Sequence, residues 1–418
     1  MKKETGKGFW PRPKLFILAA IILVYIGSAA GFRLAVNEGW LQKSPPSQFY
    51  AEGKDTITNV EQSILPNLES AQYFFERNLA RDNGHVELYM AAGKNKNFSD
   101  MSTNSEAISY YMLWTANEHN KKKFDIIVNF MESSMLHRNF GYMMWRLEQN
   151  DTVVGDGSNI ATDADLRAIK ALLIAEKQWG DRRYSKLISR LAEGIEKIGI
   201  TDDGYLVPYA GISGEDSVWR AQEIWLSYTD FTVLEELSKR RGEPWSSLYN
   251  KMKRAVLKAQ IHNGLYNSML TERREYGNGI DGGGYSINSM WIMTRAAESD
   301  DFELRESASK SLNFYKQKFE IDAELYSMYS SNGDAMSPSD TPWVYALVGR
   351  AAVALDDDEF AEQMMQKLVE HQVKDTTSPY AGAFIEGFGD DRRIGQFTMQ
   401  ESILTMQDFL RKNPNAKT

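Results

Sequence analysis

The sequence predicts an all-α fold, an (α/α)6 barrel of about twelve helices. Three observations carry that expectation. From about residue 58 onward, apolar residues recur at three- and four-residue spacing, the pattern of helices with one buried face. Alternating patterns of the strand type are few and short. No sequence period of 30–45 residues runs along the chain, which argues against a stacked solenoid and for one closed helical domain over 58–412. Two concentric rings of six helices account for the count.

The helical patterns run near 58–82, 105–118, 121–137, 163–178, 182–198, 216–240, 245–261, 285–298, 303–318, 342–355, 358–372 and 398–412. Turn signals separate them, such as Asp202-Asp203-Gly204, Asn278-Gly279 and Ser330-Ser331-Asn332-Gly333.

The first residues are of another kind. Residues 1–14 are basic, with Lys2, Lys3, Lys7, Arg12 and Lys14. The apolar run Leu15–Phe32 follows, within a segment 15–36 whose length approaches the roughly 20 residues that span a bilayer. The flanking cations are expected to stay cytoplasmic, so that everything after them lies outside. A cleaved signal peptide is the competing reading, since Gly27, Ser28, Ala29 and Ala30 suit a peptidase site. Both readings export the domain, behind a polar linker at 37–57 that carries Ser44-Pro45-Pro46-Ser47.

Composition narrows the chemistry. Hydrophobic residues make up 42% and charged residues 25% of 418, the balance of a folded globular chain. The net charge of −9 argues against a nucleic-acid partner, which calls for basic patches. With no cysteine there is no disulfide, thiolate metal site or thiol nucleophile. The five histidines are scattered, and the sequence holds no phosphate loop, dinucleotide fingerprint or Gly-x-Ser-x-Gly elbow. No cofactor or metal is expected, and carboxylates remain as candidates. Aromatic residues reach 12%, ten of them Trp; such rings fill cores and also stack on sugar faces.

Two segments hold the carboxylates of interest. Glu106 follows the capping-type Asn104-Ser105 at a helix start, with Ile108, Tyr110, Tyr111 and Trp114 downstream. A Glu there serves the helix dipole; in an apolar, aromatic setting it keeps its proton and acts as a general acid. The second segment, Ala161-Thr162-Asp163-Ala164-Asp165-Leu166, opens another helix. Its two acids suit capping or the rim of a barrel cavity.

Taken in order, these segments resemble glycoside hydrolase family 8. Ser105-Glu106-Ala107-Ile108-Ser109-Tyr110-Tyr111 is similar to the family's acid segment and is followed by Phe124-Asp125. Trp145-Arg146-Leu147, then Ala161-Thr162-Asp163-Ala164-Asp165-Leu166, then Gly264-Leu265-Tyr266 match in sequence order. The resemblance covers roughly 60–410 and implies an (α/α)6 barrel and an inverting hydrolase. It implies Glu106 as the acid and Asp163 as the residue that holds the sugar at the cleavage point. The same segments nominate Tyr110, Trp145 and Tyr285 as further sugar contacts.

One departure stands out. The family's best-known branch draws its base from an Asp directly after a Tyr, with an Arg three residues on. Here Tyr285 is followed by Ser286, and the Arg position holds Ser289. Asp281, in the glycine-rich Gly279-Ile280-Asp281-Gly282-Gly283-Gly284, is the candidate replacement, with Asp165, Glu215, Asp216 and Asp340 as alternatives. The expected function is endo-acting hydrolysis of a cell-surface or biofilm exopolysaccharide, a β-linked glucan or amino-sugar polymer. Its expected partners are that polysaccharide, the membrane and an exopolysaccharide synthesis machinery. The alternative is a catalytically inactive glycan-binding component of that machinery.

Overall fold

The computed structural model describes residues 61–413, apart from 95–98, 156, 215–216, 338–339 and 388. The expected segments 1–14, 15–36 and 37–57 lie outside the described residues. Among the described residues, no helix is long and apolar enough to cross a membrane.

Among the described residues, twelve α-helices alternate between two layers. The even-numbered ones form the inner ring: α2 (Ser105–Asn117), α4 (Thr162–Trp179), α6 (Phe231–Arg241), α8 (Ile287–Ala297), α10 (Pro342–Ala354) and α12 (Gln396–Lys412). The odd-numbered ones lie outside: α1 (Glu61–Asn78), α3 (Lys121–Phe130), α5 (Arg182–Gly194), α7 (Trp245–Ala259), α9 (Phe302–Asp322) and α11 (Asp358–Glu370). Inside, α2 packs on α4 and α12, α4 on α6, and α10 on α8 and α12. The 3-10 turn Leu226–Tyr228, which leads toward α6, packs on α8 and closes the ring. Each outer helix pairs with an inner one, α1 with α12 and the others with the helix that precedes them.

Sequence explains the layering. The outer α5 keeps a single apolar face, Tyr184, Leu187, Ile188, Leu191 and Ala192. The inner α2 buries eleven of its thirteen residues and partly buries the other two, Glu106 and Asn117, as a helix packed on every side requires. Asp or Asn side chains cap α3, α5, α6, α9 and α11, accepting backbone N–H groups that the first turn leaves free.

Two boundaries differ from expectation. The helix expected from 216 begins only at Phe231, because Ser217–Arg220 and Ile224–Trp225 are strands. Residues such as Val218, Trp219, Ile224 and Trp225 favour strand geometry wherever a partner is at hand, and Tyr209–Ser213 and Met269–Leu270 supply the partners. The patterns at 121–137 and 182–198 both end in a wider π turn, Met131–Met135 and Ile195–Gly199.

The inner helices bury charge along the axis. Arg350 on α10 lies 2.8 Å from Glu298, 3.1 Å from Asp408 and 3.2 Å from Glu401. Glu298 also meets Lys170 at 2.6 Å and Arg295 at 3.4 Å, and both cations reach Asp230. Burial opposes the ionisation of Glu298, but Arg350, Lys170 and Arg295 together hold its carboxyl well below the usual carboxylate range. Removing one member strands the others. Arg350→Met is expected to cost about 3–5 kcal/mol, because three carboxylates lose their shared cation in the interior. Urea unfolding of the variant checks this; an unchanged midpoint contradicts a stabilising role for the ion network.

Candidate active site

Short strands deliver the chain to the inner ring. Thr103–Asn104 (β2) ends where α2 begins, Ile160–Ala161 (β4) where α4 begins, and Arg393–Gly395 (β10) where α12 begins. Ile224–Trp225 (β7) runs into the 3-10 turn ahead of α6. The N-termini of the inner helices therefore gather at one mouth of the barrel. Their free N–H groups give that mouth a partial positive charge, which favours carboxylates there.

Glu106 is the second residue of α2. Asn104 caps this helix by accepting from the Ala107 N–H at 2.8 Å, and its Nδ2 donates to Glu106 Oε2 at 2.6 Å. β2 pairs with Arg146–Leu147 (β3), Asn104 opposite Arg146, which sets Trp145 beside Glu106. The indole Nε1 donates to Glu106 Oε2 at 3.3 Å. Burial pushes the Glu106 carboxyl up to about 7; nearby Asp163 pushes the same way, against Arg167, the Trp145 hydrogen bond and Arg146. At neutral pH this group keeps a transferable proton, which is what a general acid needs.

Asp163 and Asp165 open α4 and part ways. Asp163 Oδ2 accepts from Arg167 at 3.0 Å one turn along, while its Oδ1 has no protein partner. Asp165 is fully buried and accepts the Met143 N–H at 3.0 Å, and burial pushes its carboxyl well above the usual range. Asp165 thus anchors the Met143–Trp145 loop from within the core, out of reach of a substrate.

Asp281 ends the 3-10 turn Gly279–Asp281 and lies against the first turn of α8, where Asn288 Nδ2 donates to its Oδ1 at 2.8 Å. Ser227 in turn donates to Asn288 at 2.6 Å. Gly282 and Gly283 follow at φ of 66° and 92°, left-handed conformations that suit glycine and turn the chain back onto α8. Burial pushes Asp281 up to about 6, against the hydrogen bonds of Asn288 and Ser268. Ser286 points elsewhere, its Oγ donating to the Ser327 carbonyl at 2.7 Å. In a ring of six, α2 and α8 stand opposite one another, so Glu106 and Asp281 belong to opposed sides of the mouth.

The remaining candidates divide. Trp145 is partly exposed at the mouth. Tyr110 and Tyr285 are only 1% and 6% exposed, too covered to stack on a sugar, and their hydroxyls donate to Glu401 and Asn267. Burial opposes the ionisation of Asp340, but His371 at 3.3 Å holds its carboxyl below the usual range. Glu215 and Asp216 lie outside the described residues. Among those described, no group of three or more His, Asp or Glu side chains is arranged to hold a metal.

Several participants escaped sequence reasoning. One is a row of rings on the strands beside the mouth. Trp219, Tyr209, Trp225 and Tyr228 follow with centroid spacings of 6.2, 5.9 and 5.1 Å, and Trp219 is 37% exposed. Arg350 was hidden as a single charge inside an apolar helical run, which was the available signal, Glu401 within a mixed one, and Arg167 among the neighbouring charges Asp163, Asp165 and Lys170.

Comparison with known proteins places these features in a family. Residues 83–289 match the sequence model described as Glycosyl hydrolases family 8. An endoglucanase of Escherichia coli O157:H7 is 26% identical over 163 residues, 37% of this chain and 43% of that enzyme. The chain thus spans less than half of the relative it matches. Among solved structures, a novel alpha-amylase from Clostridium perfringens superposes with a TM-score of 0.70 at 23% identity, over 82% of this chain and 97% of that one. A beta-1,3-1,4-glucanase from Paenibacillus sp. X4 gives 0.63 at 15% identity, over 86% and 94%. At these identities the structural likeness concerns the fold alone.

The electrostatics of Glu106 are open to direct measurement. Carbon-13 carboxyl NMR of the chain is expected to show two glutamates titrating near pH 7, Glu106 and Glu118, of which the first is absent from Glu106→Gln. Trp145→Phe removes a donor that favours the ionised form, so the midpoint moves upward. A Glu106 midpoint in the ordinary carboxylate range contradicts its burial at the mouth.

Proposed function

The chain belongs to glycoside hydrolase family 8, residues 83–289 carrying the match, and from that premise we propose that it hydrolyses a β-linked polysaccharide at internal bonds, with inversion. The observation that carries the reading is the pair of carboxyl groups raised to about 7 and about 6 on opposed sides of one mouth. Glu106, protonated, gives its proton to the glycosidic oxygen as that bond breaks. Asp281, ionised, takes a proton from the water that attacks the anomeric carbon on the other face. Asp163, with Oδ1 free of protein partners, accepts from a hydroxyl of the sugar at the cleavage point. Trp145 and the row from Trp219 to Tyr228 offer flat apolar faces to neighbouring sugar rings.

The proposed polymer is an exopolysaccharide at the cell surface, a glucan or amino-sugar chain. The support is the basic and apolar N-terminal sequence, read as an anchor at 15–36 that holds the domain outside, next to a machine that exports such a polymer. Fractionation is expected to recover the chain with the membrane; a shortened chain found only in the medium indicates cleavage instead.

Two observations favour the second reading, a glycan-binding protein without turnover: Asp281 is only 5% exposed, and Ser286 holds the place where the resemblance expects the base. Reducing ends released from a panel of defined polymers separate the two. On a cleaved polymer, Glu106→Gln is expected to lose about 10²–10⁴-fold in kcat. Asp281→Asn is expected to abolish turnover, and Ser286→Ala to keep most of it. Activity surviving in Asp281→Asn removes Asp281 from the mechanism, and an unmutated chain inert on every polymer favours the binding reading.

The pH profile follows from the two carboxyl groups. The acid must hold its proton, so kcat/KM falls as pH rises through about 7. The base must be ionised, so kcat/KM falls as pH drops through about 6. A narrow bell with its maximum between these limbs is expected, and a flat profile from pH 5 to 8 contradicts the assignment.

A further inference from the structure

Arg167 sits where the buried axis meets the mouth. It is 3% exposed; both terminal nitrogens are bound, and only Nε has no hydrogen-bond partner. Its Nη2 donates to Asp163 Oδ2 at 3.0 Å and its Nη1 to Ser109 Oγ at 3.1 Å. Its guanidinium lies 3.8 Å from the centre of the Tyr110 ring, a close cation–π contact. Tyr110 is fixed from below, donating its hydroxyl to Glu401. Glu401 is fully buried and also accepts from Trp291 on α8 at 3.3 Å and from Arg350 on α10 at 3.2 Å. A continuous column, Glu401–Tyr110–Arg167–Asp163, thus rises from α12 through α2 to α4.

We propose that Arg167 is a positioning residue for the reaction: clamped on Tyr110, it fixes the Asp163 carboxylate beside Glu106 and supplies the positive charge that balances the two acids. That it serves hydrolysis rests on the function proposed above; the clamp itself rests on contacts. Around Glu106 stand Asp163 and Arg167 from α4, Arg146 and Trp145 on the β3 side, and Asn104 and Tyr89 from adjoining strands. Around Arg167 stand Tyr110 from α2, Asp163 from its own helix and Glu401 from α12. Two acids therefore face one nearby buried cation, and a single proton between them leaves the group neutral. The guanidinium grips Asp163 and leaves Glu106, with Trp145 and Asn104 on its Oε2, as the group placed to give that proton away.

The sign of the effect is fixed. Without Arg167, the Trp145 hydrogen bond and Arg146, itself 33% exposed, are left to offset the Asp163 charge, and Glu106 binds its proton more tightly. A lysine keeps the charge but loses the planar fork that grips Asp163 and Ser109 together and lies flat on Tyr110.

The test reads the site without requiring turnover. In the full chain labelled with nitrogen-15 tryptophan, the Trp145 indole N–H reports on Glu106, to which it donates. Trp145→Phe assigns the signal, and Glu106→Gln flattens its titration. In Arg167→Met the midpoint is expected to rise by about one pH unit or more. In Arg167→Lys it is expected to rise less, while kcat on a cleaved polymer falls about tenfold or more with little change in KM. An unmoved midpoint in a folded Arg167→Met overturns the proposal. If that variant does not fold, circular dichroism shows it and Arg167→Lys decides: wild-type midpoint and wild-type kcat overturn the clamp. A midpoint that moves in a chain inert on every polymer supports the clamp and removes only its link to hydrolysis.

Discussion

The constraint on which this barrel depends is the charge buried along its axis. Helices packed on all sides cannot leave a charged side chain to water, so each one must find its opposite among the other inner helices. Glu401 on α12 draws Tyr110 from α2, Trp291 from α8 and Arg350 from α10 to one carboxyl group. Well-packed apolar residues hold such a ring together about as firmly. What the charges add is direction, because a guanidinium bound to three carboxylates tolerates little rotation of the helices that carry them. Through Tyr110 and Arg167 that fixed orientation reaches Asp163, and so the mouth is set from beneath as much as by its own loops.

The same chemistry yields different groups according to what surrounds it. Glu298 meets three cations and stays ionised in the interior. Asp165 meets one backbone N–H and no cation, and burial drives it toward the neutral form. Glu106 lies between these cases, with burial and Asp163 on one side and Arg167, Trp145 and Arg146 on the other. Its value near 7 is a balance of opposed effects. Such a balance shifts easily, which is how a mouth built on a rigid ring tunes an acid to its working pH.

Much of this was legible in the sequence, for reasons that can be named. Helical periodicity survives wherever one face is buried, and it marked the twelve helices with their approximate ends. It failed at 216–230, where strand pairing with Tyr209–Ser213 and Met269–Leu270 decides the backbone and no local signal announces the partner. Glu106 was legible because it follows a polar cap at a helix start, and Asp163 because it is one of two acids in the first turn of a helix. Arg167 was not singled out, although it lies one turn beyond Asp163, because one charge in a helical run usually points to solvent. Tyr110 and Tyr285 show the converse: a ring near a catalytic segment in sequence can lie beneath the site and support it.

The proposed base is the position at which sequence order and spatial order separate. A carboxylate directly after Tyr285 would sit at the cap of α8; Ser286 sits there instead and spends its hydroxyl on the Ser327 carbonyl. A neutral hydroxyl so engaged is no acceptor for the proton of an attacking water at neutral pH. The left-handed Gly282 and Gly283 fold the preceding turn back, so that Asp281, five residues upstream, meets the same first turn of α8 through Asn288. What a base needs is a carboxyl oxygen near that helix end, with its twin held in place, and the distance along the chain does not enter. Asn288 holds Oδ1, Ser268 adds a further hydrogen bond, and the residue is only 5% exposed. A carboxyl group so tethered keeps a fixed place beside that helix end, and the role of base is proposed for Asp281 because Ser286 offers no carboxylate there.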